Sequence, residues 1–418
     1  MAAAKLGNPN QYAVLDGFQQ SELINTVPNG KAYRVVLPHN STAERSNVTL
    51  VHLWGTPYQM GYAQGQLVKE QVLQVAKLIW AYMEIQVAQS LPGYLPTWLA
   101  DLIADVGLSA ALDVTYELSY EWSGSYFYEE LHGIADASGA DFSTLMRIHM
   151  LAGLTQGDCS MFGAWGEALA PGGTSLLQLR ALDWDMEGPF RDYSQITVYH
   201  PSEGNGHGFV NVGYTAFIGG LTGMSATKLG ISEIGAAFAD ASFGEMSRMG
   251  VPFVFLLRDI LQFDYTIDDA INRMINSRRT CDLMLGVGDG KLNEFRGFQY
   301  SYSVLNIFND LNLKPDNSTW HPKIKDIVYW GMDWICPAYN RLLSELLIQH
   351  HGKITAEVGI HYISAMEQSG SNHIAFYDLP NMKMYVSFAS PFGVAGPAPA
   401  YARQYTAWDV NRLLAETQ

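Results

Sequence analysis

GDCSMFGAWGEALAPGGTSLLQLRALDWD, residues 157–185, contains one of the three cysteines of the chain. Its cysteine, Cys159, is followed by a glycine-rich turn and then by an apolar strand that ends near Arg180 and Asp183. The PGG sequence between them permits a reversal of the chain, because proline and glycine supply the backbone angles of tight turns. The strand from Ser175 is therefore predicted to return beside the segment that starts at Cys159.

The character of the sequence changes at Cys159. Before it, apolar residues recur at helical spacing, for example from Val68 to Met83, and proline and glycine separate several such stretches. After it, short β-rich segments alternate with glycine turns, and the last of these predicts a hairpin around Pro380 and Asn381. Helices followed by sheets with intervening helices are typical of a layered α+β protein.

Composition excludes some classes of function. The 418 residues carry a net charge of −16, and 48% of them are hydrophobic. Nucleic-acid binding needs a basic surface, so an acidic chain of this kind is not expected to bind DNA or RNA. No stretch approaches the ~18 to 20 uninterrupted apolar residues of a membrane-spanning helix. Around His350 and His351 we find no zinc-ligand spacing, so no metal is predicted.

The cellular compartment is indicated only by glycosylation sequons. Asn40, Asn47 and Asn317 each begin an Asn-x-Ser/Thr triplet, whereas the N-terminal sequence lacks the basic-then-apolar layout of a secretory signal. Such triplets also occur by chance. We therefore hold a secreted or lysosomal location as an expectation.

The three cysteines allow two interpretations. Cys281 and Cys336 can form one disulfide, which leaves Cys159 over, or all three can be buried reduced thiols. A thiol attacks only as the thiolate, and an unassisted cysteine with a pKa of ~8.5 is mostly protonated at neutral or acid pH. Cys159 therefore needs a base before it can act as a nucleophile.

Two kinds of base could accept the proton of the Cys159 thiol. A histidine is the usual one, but His149 lies on an apolar helix face, where a structural role is the favoured interpretation, and His200 ends a strand. Alternatively, a cut of the Asp158–Cys159 peptide bond frees an α-amine of pKa ~7.7 to 8.0 beside the thiol itself, and this amine can accept the thiol proton.

The second route needs a cation and a carboxylate near the amine, and Arg180 and Asp183 have suitable side chains. Residues three apart in a straight strand point to opposite faces, so the pair can share a pocket only if the strand bends or ends near Leu182. A structural arginine–aspartate pair at a strand end is the alternative interpretation.

These motifs resemble those of the N-terminal-nucleophile cysteine amidohydrolases. This superfamily includes acid ceramidase, N-acylethanolamine acid amidase, the bile-salt and penicillin V hydrolases and the penicillin acyltransferase-like (peptidase C45-type) group, and the acid-ceramidase-like proteins look closest. The similarity is carried by Gly-Asp-Cys, by Arg-x-x-Asp-Trp from Arg180, and by GTPYQMGYAQGQL at residues 55–67. EELHGIADASGAD at residues 129–141 is also similar. Ala181 departs from the asparagine that is common in the arginine motif.

The resemblance implies an α+β fold, the four-layer αββα sandwich of these hydrolases with a helical N-terminal segment. It implies self-cleavage before Cys159 into a mostly helical fragment, 1–158, and a core fragment, 159–418, which stay associated as one structural unit. Cys159 would be the nucleophile and, through its freed amine, the base. Arg180 would support the charged state, and Asp183 would accept a hydrogen bond from the amine.

The same families also use an asparagine from a later strand to stabilise the tetrahedral oxyanion. In this chain Asn309 and Asn312 are both candidates, and a turn without catalytic function is the alternative for each. The implied reaction is hydrolysis of a linear N-acyl amide, small or lipid, through a thioester and without a cofactor. An acyltransferase on the same fold, a catalytically silent glycosylated lumenal binding protein and a histidine-assisted cysteine hydrolase remain open as alternatives.

Overall fold

In the part of the chain that the structure describes, two β-sheets pack face to face. The structure is a computed structural model, and it describes residues 5–12, 20–36, 48–90, 103, 106–152, 159–236, 239–247, 249–391 and 398–418. Helices cover the outer face of each sheet. The α+β class and the αββα order of layers are therefore confirmed.

The larger sheet has ten strands in the order β1-β2-β3-β6-β7-β8-β9-β10-β11-β12. Its strands are β1 Gln20–Val27, β2 Gly30–Val36, β3 Thr49–Gly55, β6 Ser194–Pro201, β7 Phe209–Tyr214, β8 Gly223–Ser225, β9 Leu229–Gly235, β10 Leu283–Asp289, β11 Glu294–Tyr300 and β12 Leu305–Phe308. All neighbouring strands in it are antiparallel except β3 and β6, which are parallel. The smaller sheet has six antiparallel strands in the order β13-β4-β5-β14-β15-β16. They are β4 Cys159–Trp165, β5 Leu176–Leu182, β13 Ile327–Met332, β14 His373–Asp378, β15 Lys383–Phe388 and β16 Thr406–Asp409.

Helices form the two outer layers. They are α1 Pro57–Leu67, α2 Lys69–Ser90, α3 Leu108–Tyr120, α4 Ser125–Ser138, α5 Phe142–Ala152, α6 Phe253–Phe263, α7 Ile267–Asn276, α8 Pro337–His350, α9 Ala356–Val358, α10 Ala365–Glu367 and α11 Val410–Leu414, with a π-helical turn Gly359–Ser364 between α9 and α10. Helices α6 and α7 pack on the larger sheet, and α8 packs on β13 of the smaller sheet. No helix within the described ranges is both long and apolar enough to cross a membrane.

Glycines let the two sheets approach closely. Gly163 of β4 faces the ring of Phe295 on β11, and Gly297 of β11 faces the ring of Trp330 on β13. Any side chain at either glycine would collide with these buried rings. The aromatic residues of one sheet therefore fill the space that the glycines of the other leave open, which is the dense packing expected of a protein core.

The N-terminal part of the chain contributes strands as well as helices. β1, β2 and β3 extend the larger sheet, and β3 pairs with β6 from Thr49 opposite Gln195 to Gly55 opposite Pro201. The sequence predicts a mostly helical part after a short extended entry; in the structure this entry consists of the strands β1 to β3, and the helices α1 to α5 follow them. The strands join the parts before and after Cys159 in one sheet, whereas a cut after residue 158 stays a prediction.

The glycine-rich stretch at residues 55–67 has a packing function in α1. Thr56 and Gln59 form a capping box that starts the helix. A Cβ atom on Gly61 would collide with the backbone carbonyl of Glu130 in α4, and one on Gly133 of α4 would collide with the backbone of α1. The two helices therefore cross at backbone contact.

Replacement of Gly61 by alanine should destabilise this crossing. We expect Gly61→Ala to lower the free energy of unfolding by about 1–3 kcal/mol, because the added methyl group meets immovable backbone. Urea denaturation followed by circular dichroism measures the loss. Gly213→Ala is the control, since a Cβ atom on Gly213 would meet no other heavy atom; equal stability of the two variants would contradict the predicted collision.

Candidate active site

The strand ladder places Cys159 and Arg180 on one face of the smaller sheet. Cys159 is the first residue of β4 and lies opposite Leu182 of β5 and Met332 of β13. Residues directly opposite in antiparallel strands share a face, and so do residues two apart in one strand. Arg180 is two residues before Leu182, so its side chain points to the same side as the thiol. The predicted reversal of the chain between β4 and β5 is confirmed.

Asp183 lies immediately beyond the end of β5. Because the strand ends at Leu182, the alternation of faces that would separate Asp183 from Arg180 ends there too. Arg180 and Asp183 both lie close enough to Cys159 for their charged groups to act on the pKa of its thiol. The structure thus brings together the three residues that the sequence singled out.

Cys159 lies in the wall of a cavity of about 90 Å³. Apolar side chains from both parts of the chain form most of this wall: Ile79, Met83, Ile148, Leu182, Phe190, Phe217, Leu221, Phe253 and Leu283. Polar atoms come from Cys159, Trp184, Tyr214 and Glu233. The cavity therefore presents one thiol to an apolar space.

Burial sets the protonation state of the thiol in the uncut chain. The side chain of Cys159 is 1% exposed, and burial raises its pKa to about 12, although the nearby Arg180 guanidinium acts in the opposite direction. At neutral or acid pH the group is a thiol and hence a poor nucleophile. A base must act on it before it can react.

Arg180 forms a buried ion pair with Glu233 of β9, in the facing sheet. Arg180 donates through Nη2 to Glu233, through Nη1 to the carbonyl of Ala181 at 2.6 Å, and through Nε to the carbonyl of Leu221 at 3.3 Å. The sequence analysis missed Glu233. A single acidic residue in the otherwise apolar strand LGISEIG was the available signal, because a buried carboxylate needs a partner.

Backbone and hydroxyl groups hold the carboxylate of Asp183. Ser369 donates through Oγ at 2.5 Å, and the backbone N–H groups of Gly370 and Ser371 donate at 2.8 to 3.0 Å. Burial raises the pKa of Asp183, and these hydrogen bonds oppose that rise. The carboxylate is therefore fixed beside Cys159 by one short segment of chain.

The two histidines considered as bases lie elsewhere or are already bonded. His149 donates through Nδ1 to the carbonyl of Leu145 at 2.7 Å and accepts through Nε2 from the N–H of Ile218 at 2.9 Å. Burial lowers its pKa to about 4. His200 belongs to the larger sheet, where its Nε2 lies 3.1 Å from Nδ1 of His52. Neither histidine is placed to deprotonate Cys159.

Asn309 and Asn312 are not brought to Cys159. Both lie in the turn after β12, the edge strand of the larger sheet. Asn312 accepts through Oδ1 from the N–H of Asn309 at 2.7 Å and donates through Nδ2 to the carbonyl of Ile307 at 3.0 Å. Both side chains close the turn, and neither residue is part of the cavity wall around Cys159, so this placement gives no support to an oxyanion role for either of them.

A buried polar network includes Tyr214 of the cavity wall. Tyr214 donates through its hydroxyl to Oδ1 of Asn372 at 2.7 Å and lies 3.0 Å from Nδ1 of His373. The Nδ2 group of Asn372 is buried and has no hydrogen-bond partner among the described residues. Asn372 bonds through its backbone N–H to the carbonyl of Leu182, the residue opposite Cys159. Sequence reasoning missed this asparagine, because it stands before a strand without any motif around it.

Other sequence expectations concern residues outside the cavity. The disulfide considered for Cys281 and Cys336 is not formed: Cys281 precedes a strand of the larger sheet, and Cys336 caps α8 on the smaller one. Asn317 is partly exposed, whereas Asn40, Asn47 and Asp158 lie outside the described residues. Within the described ranges, no cluster of three histidine, cysteine, aspartate or glutamate residues is suited to a metal ion.

Loss of Glu233 should leave the buried charge of Arg180 without its partner. We expect Glu233→Ala to lower the free energy of unfolding by about 3–5 kcal/mol, because removal of one partner leaves an uncompensated buried charge. Thermal and urea denaturation measure it. Glu345→Ala removes an exposed partner, that of Arg341 at 3.3 Å, and should cost less than about 0.5 kcal/mol. Similar losses in both variants would contradict the assignment.

Comparison with known proteins identifies relatives over nearly the full length. Protein dcd1A of Dictyostelium discoideum is 36% identical over 424 residues, and the alignment covers 97% of this chain and 92% of that protein. Protein dcd1B of the same organism is 35% identical over 409 residues, covering 94% of this chain and 79% of that protein. No family model matches the chain.

Solved structures show weaker likeness. A Caenorhabditis elegans orthologue of N-acylethanolamine-hydrolyzing acid amidase is 12% identical with a TM-score of 0.41, over 60% of this chain and 99% of that one. A conjugated bile acid hydrolase from Clostridium perfringens is 12% identical with a TM-score of 0.36, over 62% and 95%. These scores are too low to assign a reaction. The family rests on the sequence relatives: the chain belongs to the family of the dcd1 proteins.

Proposed function

We propose that the protein is a self-processing N-terminal-cysteine amidohydrolase that cleaves a linear N-acyl amide through a thioester. One observation carries the proposal: Cys159 begins a strand, faces an apolar cavity, and has Arg180 and Asp183 beside it. A thiol with a pKa of about 12 needs a strong local change before it reacts. Release of its own α-amine supplies that change.

The first proposed step cuts the chain. The Cys159 sulfur attacks the carbonyl carbon of Asp158, the carbon–nitrogen bond of that peptide breaks, and the nitrogen takes up the thiol proton. Water then hydrolyses the resulting thioester, which releases a carboxylate at Asp158 and restores the thiol. The products are fragments 1–158 and 159–418, held together by the shared larger sheet.

The second proposed step turns over substrate. The freed amine accepts the thiol proton, and the thiolate attacks the carbonyl carbon of the substrate amide. The ammonium then protonates the departing amine, and water hydrolyses the acyl thioester. In this proposal Arg180 stabilises the thiolate, and Asp183 accepts a hydrogen bond from the ammonium. Each contact lowers the free energy of a charged form in an apolar surrounding.

The cavity wall supports an apolar acyl group as the substrate portion next to the thiol. Side chains of α2 and α5, from before the proposed cut, and of α6, from after it, form this wall. A linear hydrocarbon chain, including that of a lipid amide, matches such a lining. The acidic surface and the partly exposed sequon at Asn317 support a secreted or lysosomal location as part of the same proposal.

Processing is tested by intact mass. We expect the wild-type protein, incubated at pH 4.5 to 7, to yield masses for a cut between Asp158 and Cys159, whereas Cys159→Ala stays as one chain because it lacks the attacking sulfur. Cys281→Ala is the matched control and should be cut like the wild type. Equal processing of Cys159→Ala would refute self-cleavage, and an uncut wild type with amidase activity would show that a freed α-amine is not the base.

The substrate oxyanion is assigned to Asn372 in this proposal. Its unpartnered Nδ2 group is a buried donor next to the cavity-lining Tyr214. We expect Asn372→Ala to lower kcat by about 10²–10³-fold, the usual effect of removing an oxyanion donor. Steady-state hydrolysis of N-acyl amides of graded chain length measures it, with and without an acceptor amine to reveal acyl transfer. Asn312→Ala is the control; an equal effect there would contradict the assignment.

A further inference from the structure

A buried glutamate contacts the side chain of Ser160, the residue after Cys159, on the face of the sheet opposite the cavity. Glu367, at the end of α10, accepts through Oε1 from the hydroxyl of Ser160 at 2.7 Å. The same hydroxyl accepts from the N–H of Met332 at 3.1 Å. Met332 is the β13 residue opposite Cys159 and has a positive φ of 69°. Glu367 and Ser160 thus fix the ladder at the point where β4 begins.

The residues that follow Glu367 bind the carboxylate of Asp183, which lies beside the nucleophile. Gln368 adopts a left-handed conformation, with φ of 64°, which ends α10 and turns the chain. Residues 369–371 then donate three groups to the carboxylate of Asp183. One stretch of five residues therefore contacts both Ser160, which follows the nucleophile, and Asp183, which lies beside it.

Burial of Glu367 in this position is energetically unfavourable. It is fully buried, and its Oε2 atom has no hydrogen-bond partner among the described residues. Burial, with Asp183 nearby, raises its pKa to about 8, so the group is uncharged at neutral and acid pH. Asp183, after β5, is a titratable group that acts on this carboxyl. The backbone of Tyr339 in α8 and the Oε1 atom of Glu367 both lie next to Gly331 of β13. The neutral carboxyl group of Glu367 therefore acts as a hydrogen-bond acceptor and not as a charge.

We propose that Glu367 is a positioning residue for the nucleophile: by accepting the hydrogen bond of Ser160, it fixes the start of β4 and so the direction of the Cys159 thiol. The inference rests on the proposed function, because it concerns the same sulfur. It adds a residue that touches neither substrate nor reacting atoms and acts through Ser160.

The test compares the wild type and two variants by the reactivity of the Cys159 thiol. The full-length protein is treated with methyl methanethiosulfonate, and the labelling of each cysteine is followed by peptide mass, with Cys281 and Cys336 as internal references. We expect Glu367→Ala to change the rate for Cys159 relative to the reference thiols by at least about threefold, because the sulfur is no longer held in one direction. Glu367→Gln, which keeps the acceptor for Ser160, should restore the wild-type ratio.

Kinetics give the second readout. Glu367→Ala should lower the processing rate and kcat by at least about 10-fold, as misplacement of a reacting group does, while KM stays within about twofold. Glu367→Gln should recover most of that loss. Asp259→Ala, which removes another buried carboxyl group, bonded to Tyr126 away from the site, is the matched control and should change stability only.

The outcomes separate the two proposals. A wild type that is neither cut nor active refutes the proposed function, and the labelling ratios still decide the role of Glu367. If Glu367→Ala loses thermal stability but keeps the wild-type labelling ratio and kcat, the residue is structural and the positioning role is overturned. Failure of Glu367→Gln to restore the ratio overturns it as well, because the retained acceptor is then not what matters.

Discussion

The buried ion pair of Arg180 and Glu233 is the constraint on which the candidate site depends. It joins the smaller sheet to the larger one next to Cys159, with both side chains almost completely buried. Two charges removed from water are tolerated only when they meet each other and their remaining polar atoms are bonded, and Arg180 meets this condition through the carbonyl groups of Ala181 and Leu221. The pair therefore fixes the distance and register between the sheets at the thiol.

The sequence predicted the local part of this arrangement and missed the distant part. The reversal at PGG, the end of the strand near Leu182 and the grouping of Cys159, Arg180 and Asp183 all follow from residues close together along the chain. Glu233 and Asn372 lie far away in sequence and have no motif, so only the fold shows that Glu233 lines the cavity and that Asn372 is bonded to the cavity-lining Tyr214. Asn309 was chosen from position alone, and the turn in which it lies uses its polar atoms locally.

The N-terminal strands were predicted only as a short extended entry, for a different reason. In β1, polar and charged residues interrupt the apolar ones, and its described side chains are mostly exposed. An edge strand of this kind lacks the alternation that reveals a half-buried strand. The helices were predicted because their apolar residues recur at helical spacing. The glycines of α1 were noticed in the sequence, but only the structure shows that they allow close contact with α4.

The parallel pairing of β3 with β6 has a consequence for the order of events during biosynthesis. Thr49 and Gln195 lie far apart along the chain, so β3 cannot add to the sheet until β6 has been made. A chain cut before that moment would have to reassemble from two diffusing pieces, at the entropic cost of association. If the cut takes place where we propose, tertiary structure must come first, and the peptide bond acts as a temporary tether that is dispensable once the sheet has closed.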